Sequence, residues 1–247
     1  MPTANSVKLT RQDNAGLTPL IYLASCSGRV MGPAANSKDK RSLQQVSTSL
    51  LQKAGYRLIV PDGIDSQCCG MPFQSKGQFA AAELKQRELE QWLLKVTNNG
   101  AIAVFSDTSP CSLTLRAKLD PRLSIFDSVD FLHDKVLPKL KITPLSEPVA
   151  LHITCSASQL GQADKLKRLL AACSDKVIVP DGISCCGFAG DKGFVLPELN
   201  ASALSGLQQQ VSACSQGVST SRTCEIGLSQ HSGIEYQHLV YLLDRCS

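Results

Sequence analysis

The chain has 247 residues, 43% hydrophobic and 19% charged, with 17 Gly and 12 Pro spread along it, a balance that fits one large or two small globular domains and excludes disordered, collagen-like and coiled-coil readings. A net charge of +4 and 5% aromatic residues build no nucleic-acid surface. No apolar run nears the roughly 18 residues of a membrane span, and the polar leader, residues 1–19, carries no secretory segment, so a cytoplasmic, reducing setting is expected in which 11 cysteines need a use other than disulfides.

In chain order, residues 20–24 read as a buried strand ending near Cys26, and 39–54 as a helix with Leu43, Val46 and Leu50 on one face. Residues 56–60 form a second predicted strand, which runs into Cys68-Cys69-Gly70. The spacing predicts a helix over 78–96 that buries Phe79, Ala82, Leu89, Trp92 and Val96, then a third strand at 101–105 and a helix at 113–119 that opens after Pro110-Cys111. Pro138, Pro144 and Pro148 punctuate the polar join, and residues 142–148 read as a linker. Beyond it, strands are expected at 149–154, 176–179 and 217–220.

Strand–helix alternation of this kind predicts parallel sheets with right-handed crossovers. The expected fold is therefore α/β, with two tandem related lobes at residues 20–141 and 149–247, each a short parallel sheet with flanking helices.

The two halves repeat each other. LIVPDGI at 58–64 precedes Cys68-Cys69-Gly70, and VIVPDGI at 177–183 precedes Cys185-Cys186-Gly187. Upstream, IYLASCSGRVMG from Ile21 aligns with LHITCSASQLG from Leu151; downstream, SDTSPC ending at Cys111 aligns with STSRTC ending at Cys224. Each half thus offers four thiols at the carboxyl ends of its predicted strands, where open parallel sheets place their ligands: Cys26, Cys68, Cys69 and Cys111, then Cys155, Cys185, Cys186 and Cys224. Adjacent cysteines are poorly placed to pair with each other, so thiolate ligation is the better use, by zinc or by an iron–sulfur cluster. Ligands drawn from three separate loops, not from two knuckles, argue for the bulkier group.

Pro110-Cys111 and Cys224 sit where helix starts are expected, and unpaired N–H groups there would favour thiolates. Gly70 and Gly187 allow a tight turn that brings backbone N–H groups to sulfur. Lys76 and Lys192 follow the two turns at similar distance and are either cofactor-facing cations or solvated loop residues; His152 and His231 are either near the site or ordinary packing residues. Cys173, Cys214 and Cys246 lie on apolar helix faces and read as core.

The paired Cys, Cys-Cys-Gly, Cys arrangement over residues 20–247 resembles the cysteine-rich CCG domain of heterodisulfide reductases and of the iron–sulfur subunits of glycolate oxidase. CCGMPFQSKG at 68–77, CCGFAGDKGFVLPELN at 185–200 and SRTCEIGLSQHSGIEY at 221–236 resemble the C-terminal portion of FAD-linked iron–sulfur D-lactate dehydrogenases. That resemblance implies a [4Fe-4S]-type cluster on the eight cysteines and FAD in a partner or parent enzyme. It also implies flavin-containing and ferredoxin-like partner domains, and a respiratory acceptor at the inner face of the membrane. The family motif closes with Cys-x-x-Cys, and Thr108 and Ser221 stand at the first of those positions, which leaves a cubane cluster, an incomplete site or zinc and speaks against heterodisulfide-reductase chemistry; a zinc-bound docking domain and a thiol–disulfide catalyst are the alternative readings.

Overall fold

A computed structural model describes residues 2–4, 16–116 and 118–247. Most of the polar leader lies outside the described residues, but Pro2–Ala4 forms β1, and the strand β2 (Thr18–Leu23) already begins within its last residues. β1 pairs antiparallel with β3 (Met31–Ala34), a short strand that the sequence did not announce.

The first lobe is a four-stranded parallel sheet in the order β4 (Tyr56–Ile59), β2, β5 (Val104–Ser106), β6 (Ile125–Asp127). The second contains β7 (Val149–Leu151), β8 (Val177–Ile178), β9 (Gln216–Ser219) and β10 (Tyr236–His238) in the order β8, β7, β9, β10, also parallel. The two orders are the same topology drawn twice, which bears out the α/β duplication. Three strands per lobe were expected; β6 and β10 are the fourth, edge strands, three residues each and too short for an alternation pattern to reveal. Each turns at once into a helix capped by its last residue, Asp127 accepting from Val129 N–H and His238 from Val240 N–H.

Caps also move the predicted helix limits. The first long helix spans Leu43–Lys53 and not 39–54, because Ser42 and Gln45 close a reciprocal capping box there. In the helix Phe79–Val96 the buried stripe is Ala82, Gln86, Leu89 and Leu93, while Phe79 is 63% exposed, contrary to expectation. Trp92 is half-buried and donates its indole N–H to Asp62 O at 3.2 Å.

The lobes share one core. The final helix of the second lobe, Leu239–Cys246, packs on Leu43–Lys53 of the first, and the helical turns Leu132–Val136 of the first pack on Ala163–Cys173 of the second. Buried Leu50, Leu132, Leu166, Leu170 and Leu243 accordingly belong to a single apolar cluster. Each seam carries lysine–aspartate pairs: Lys53 with Asp244 at 2.9 Å, and Lys165 with Asp130 and Asp134 at 2.8 and 2.7 Å. Cys173, Cys214 and Cys246 are buried in the core as expected; Cys246 Sγ also lies 3.6 Å from Cys173 O. Among the described residues no helix is long and apolar enough to cross a membrane.

His152 and His238 are buried at the ends of β7 and β10, and burial holds both imidazoles down to about 4. The unfolded chain, with histidines near 6.5, therefore binds protons that the folded chain refuses, so each histidine costs stability as pH falls from 6.5 toward 4. His152→Asn should flatten the acid side of the stability profile by on the order of 2 kcal/mol at pH 5; urea unfolding at pH 7.5 and 5.0 checks this, and parallel profiles for variant and wild type would refute it.

Candidate metal centre

Two related thiol clusters stand at the carboxyl rims of the two sheets. Cys26 follows β2 and opens the short helix Cys26–Val30, whose N-cap Ser25 accepts from Gly28 N–H at 3.1 Å. Ser25 is itself fixed: its N–H donates to Asp107 Oδ1 at 2.9 Å, and Tyr22 donates its hydroxyl to Asp107 Oδ2 at 2.7 Å. In the second lobe Thr154 takes the place of Ser25, accepting from Ala157 N–H, and Thr220 takes the place of Asp107, its hydroxyl 3.0 Å from that of Thr154. A carboxylate hub in one lobe is thus a hydroxyl pair in the other. Burial, partly offset by these donors, raises the Asp107 carboxyl above its ordinary range.

The Cys-Cys-Gly turns follow β4 and β8. Gly70 and Gly187 take φ of +84° and +70°, and their N–H groups lie 3.4 and 3.3 Å from the sulfurs of Cys68 and Cys185. The tight turn that presents backbone N–H to sulfur is therefore present in both lobes. A Cβ at Gly70 would stand 2.6 Å from Ala82 O, and one at Gly187 2.5 Å from Leu199 O, so each turn is pressed against the helix that follows it.

Cys111 and Cys224 occupy the third positions of the helices Ser109–Leu115 and Arg222–Ser232. The first of these starts four residues earlier than the expected 113, and Cys111 N–H already donates to Thr108 O at 3.1 Å, so that N–H is engaged within the first turn. Thr108 and Ser221 are the caps of these helices and both are buried. Thr108 donates to Ser25 Oγ at 3.0 Å, whereas the hydroxyl of Ser221 lies 3.5 Å from that of Thr223.

The four cysteines of the first lobe share one cavity, and those of the second lie at the matching rim. Cys26, Cys68, Cys69 and Cys111 line one cavity with Leu23, Gln67 and Leu89, about 20 Å³ in volume. The neighbouring Cys69 pushes the Cys68 thiol up, and Cys111 that of Cys69. In the second lobe the sulfurs of Cys186 and Cys224 share a hydrogen bond at 2.8 Å, and Cys155 lies within electrostatic reach of Cys185, Cys186 and Cys224. Cys26, Cys155 and Cys185 are exposed while Cys69, Cys186 and Cys224 are buried, so each cluster has an open and a closed side.

The expectation that a helix start holds Cys224 as a thiolate needs correction. Enclosure of its sulfur at the cavity, although the residue as a whole is exposed, and then the neighbouring Cys68 push the Cys26 thiol up; contact with Cys69 and burial push Cys68 up, and hydrogen bonding to Cys186 and burial push Cys224 up. Cys186 moves down, through its bond to Cys224. Crowded thiols cannot all ionise on protein dipoles alone; a cation among them would supply the missing charge.

Lys76 forms an ion pair with Asp191 at 2.8 Å, which ties together the loops beyond the two turns, and Lys192 is exposed. Lys85 is the ammonium that acts on Cys68, and Arg29, held by Asp65 at 2.9 Å, acts on Cys26. His152 contacts Ser219 at 3.2 Å, and His231 lies two helical turns beyond Cys224, about 10 Å along the axis. Sequence reasoning passed over Arg29 and Lys85, which no motif marks. It also passed over Gln86 and Asn200, whose amides meet the carbonyls of Cys69 and Cys186. The signal for Gln86 was there: a polar residue on the apolar stripe of its helix.

The donor chemistry fits a thiophilic metal or an iron–sulfur group: four sulfurs per rim, backbone N–H groups aimed at two of them, and an apolar wall at Leu23 and Leu89. The first cavity is water-sized, smaller than a group of several metal ions. Among the described residues no three His, Cys, Asp or Glu side chains converge as a ready-made site for a single ion.

Residues 20–116 match the family model described as CCG, cysteine-rich domain. That stretch spans all four cysteines of the first quartet and supports an iron–sulfur or metal-binding role of the kind found in oxidoreductases. Among solved structures, the chain is similar to the Picrophilus torridus aspartate racemase, at 12% identity over 92% of this chain and 91% of that one with a TM-score of 0.43. It is also similar to an aspartate racemase homologue from Pyrococcus horikoshii OT3, at 10% identity over 92% and 96% with a TM-score of 0.33. Likeness at this level reports neither chemistry nor substrate.

Gly70→Ala and Gly187→Ala should each cost about 2–4 kcal/mol, from left-handed backbone strain plus collision with a helix carbonyl. Gly161→Ala, with φ of +72° but open space around it, should cost only about 1 kcal/mol. Urea unfolding of the three variants tests the difference, and equal losses would show that the packed turns are not tight.

Proposed function

We propose that the chain is an electron-transfer domain or subunit that holds an iron–sulfur cluster of [4Fe-4S] type on at least one thiol quartet. In this reading it serves a flavin-dependent dehydrogenase of D-2-hydroxy acids, of the D-lactate or glycolate kind. The observation that carries the reading is the convergence of Cys26, Cys68, Cys69 and Cys111 on one cavity, within the segment that matches the cysteine-rich domain. Cys155, Cys185, Cys186 and Cys224 repeat the set in the second lobe. When bound, the cluster would accept and release single electrons, while substrate oxidation would take place on FAD in a partner.

The chain's own groups would do the rest. Gly70 and Gly187 N–H groups would stabilise sulfur charge, Arg29 and Lys85 would raise the potential of the first site by their positive charge, and the buried cysteines would exclude water from its inner side. Flavin-containing and ferredoxin-like domains would deliver electrons, and a respiratory acceptor at the membrane would remove them. A second reading, zinc without a redox role, is favoured by the small volume between the sulfurs.

Anaerobic reconstitution of the full chain with iron and sulfide distinguishes the two. The electron-transfer reading expects roughly four irons and four sulfides per filled quartet and an electron paramagnetic resonance signal that appears on one-electron reduction or oxidation. Cys69→Ser should abolish the signal of the first site and Cys186→Ser that of the second. Stoichiometric zinc with no iron uptake by intact, folded protein would overturn it.

A further inference from the structure

One contact recurs in both lobes although nothing in the repeat announces it. Gln86, 17 residues after Cys69, donates its side-chain amide N–H to Cys69 O at 3.3 Å; Asn200, 14 residues after Cys186, donates to Cys186 O. Both carboxamides are buried, at 5% and 1% exposure, where a polar group persists only with a partner. Their backbones differ, one on the helix Phe79–Val96 and the other on Pro197–Ala203, yet both amides end on the carbonyl of the second cysteine of the turn.

The surroundings show what that contact holds. A Cβ at Gly70 would sit 3.1 Å from Gln86 Nε2, so the amide is wedged against the turn itself. Asn200 also fills the space above Gly227, where a Cβ would lie 2.5 Å from its Nδ2. Gly227 belongs to the helix that carries Cys224. Asn200 therefore touches two of the three segments that supply thiols to the second quartet. Rotation of the Cys69–Gly70 or Cys186–Gly187 peptide plane would break this bond and turn the glycine N–H, which shares that plane, away from sulfur.

We propose that Gln86 and Asn200 are positioning residues of the two thiol sites, each locking its Cys-Cys-Gly turn so that both cysteines and the glycine N–H face the same rim. The inference rests on the reading of the quartets as metal or iron–sulfur sites, and it assigns one residue to each site. A purely structural role would spread through the shared core; a positioning role stays within its own lobe.

The test uses the full chain with Gln86→Met and Asn200→Leu, which keep volume and remove the donor; Gln86→Glu and Asn200→Asp serve if either fails to fold. Cobalt(II) titration under anaerobic conditions, followed by thiolate-to-cobalt absorption, reads affinity, and iodoacetamide labelling with peptide mass mapping reads thiol exposure. Each substitution should weaken cobalt binding in its own lobe by roughly 10–100-fold. It should also speed alkylation of its own buried cysteine, Cys69 or Cys186, several-fold while leaving the other lobe unchanged. Wild-type labelling of Cys69 and Cys186 in both variants, or acceleration shared equally by core Cys173, would overturn the proposal. If wild type binds neither cobalt nor iron, the metal-site reading fails, and the labelling pattern still decides whether the amides hold the turns.

Discussion

Two glycines pressed against helix carbonyls set the geometry on which both candidate sites depend. At Gly70 and Gly187 the chain has turned with positive φ and come so close to the next helix that no side chain fits. That approach does two things at once: it lets a buried amide reach the carbonyl of the preceding cysteine, and it brings the glycine N–H to the sulfur before that. A larger residue would separate turn from helix and lose both contacts. Within each turn the second cysteine is the more enclosed: Cys69 and Cys186 are buried, while Cys68 is half-buried and Cys185 exposed.

The remaining ligands reach the same place by the ordinary logic of parallel sheets. Crossovers return every strand in the same direction, so the loops after β2, β4 and β5 share one edge, and those after β7, β8 and β9 share another. The lobes are not independent beads, however. Each sends its last helix onto the other's first long helix, one apolar cluster runs through both, and Lys76 and Asp191 join the loops beside the two turns. Loss of packing in one lobe is therefore felt in the other, and the join at residues 142–148 runs over a common core.

Duplication has preserved architecture more strictly than chemistry. The carboxylate hub of Asp107 in the first lobe becomes the Thr154–Thr220 hydroxyl pair in the second, and the capping residue Asp127 becomes His238. Glu225, next to Cys224, is buried against Arg222 at 3.1 Å and burial lifts it to about 7, while its counterpart Ser112 is neutral. The two thiol clusters thus sit in different electrostatic settings. The first is faced by Arg29 and Lys85; the second is backed by an ionisable pair at the lobe interface, where Arg222 also holds the carbonyls of Met31 and Gly32.

Much of this was legible in the residues alone. The repeat LIVPDGI and VIVPDGI with its following Cys-Cys-Gly, the strand and helix alternation, the eight cysteines and the three core cysteines could all be read because identity, order and periodicity are local properties. Edge strands of three residues, the exposure of Phe79, the pairing of Lys76 with Asp191 and the reach of Gln86, Asn200, Arg29 and Lys85 could not. Each of these depends on which atoms from distant parts of the chain meet in space. A pattern along the chain reports what a segment prefers, whereas partners 14 to 115 residues apart are chosen by the packing of the whole core.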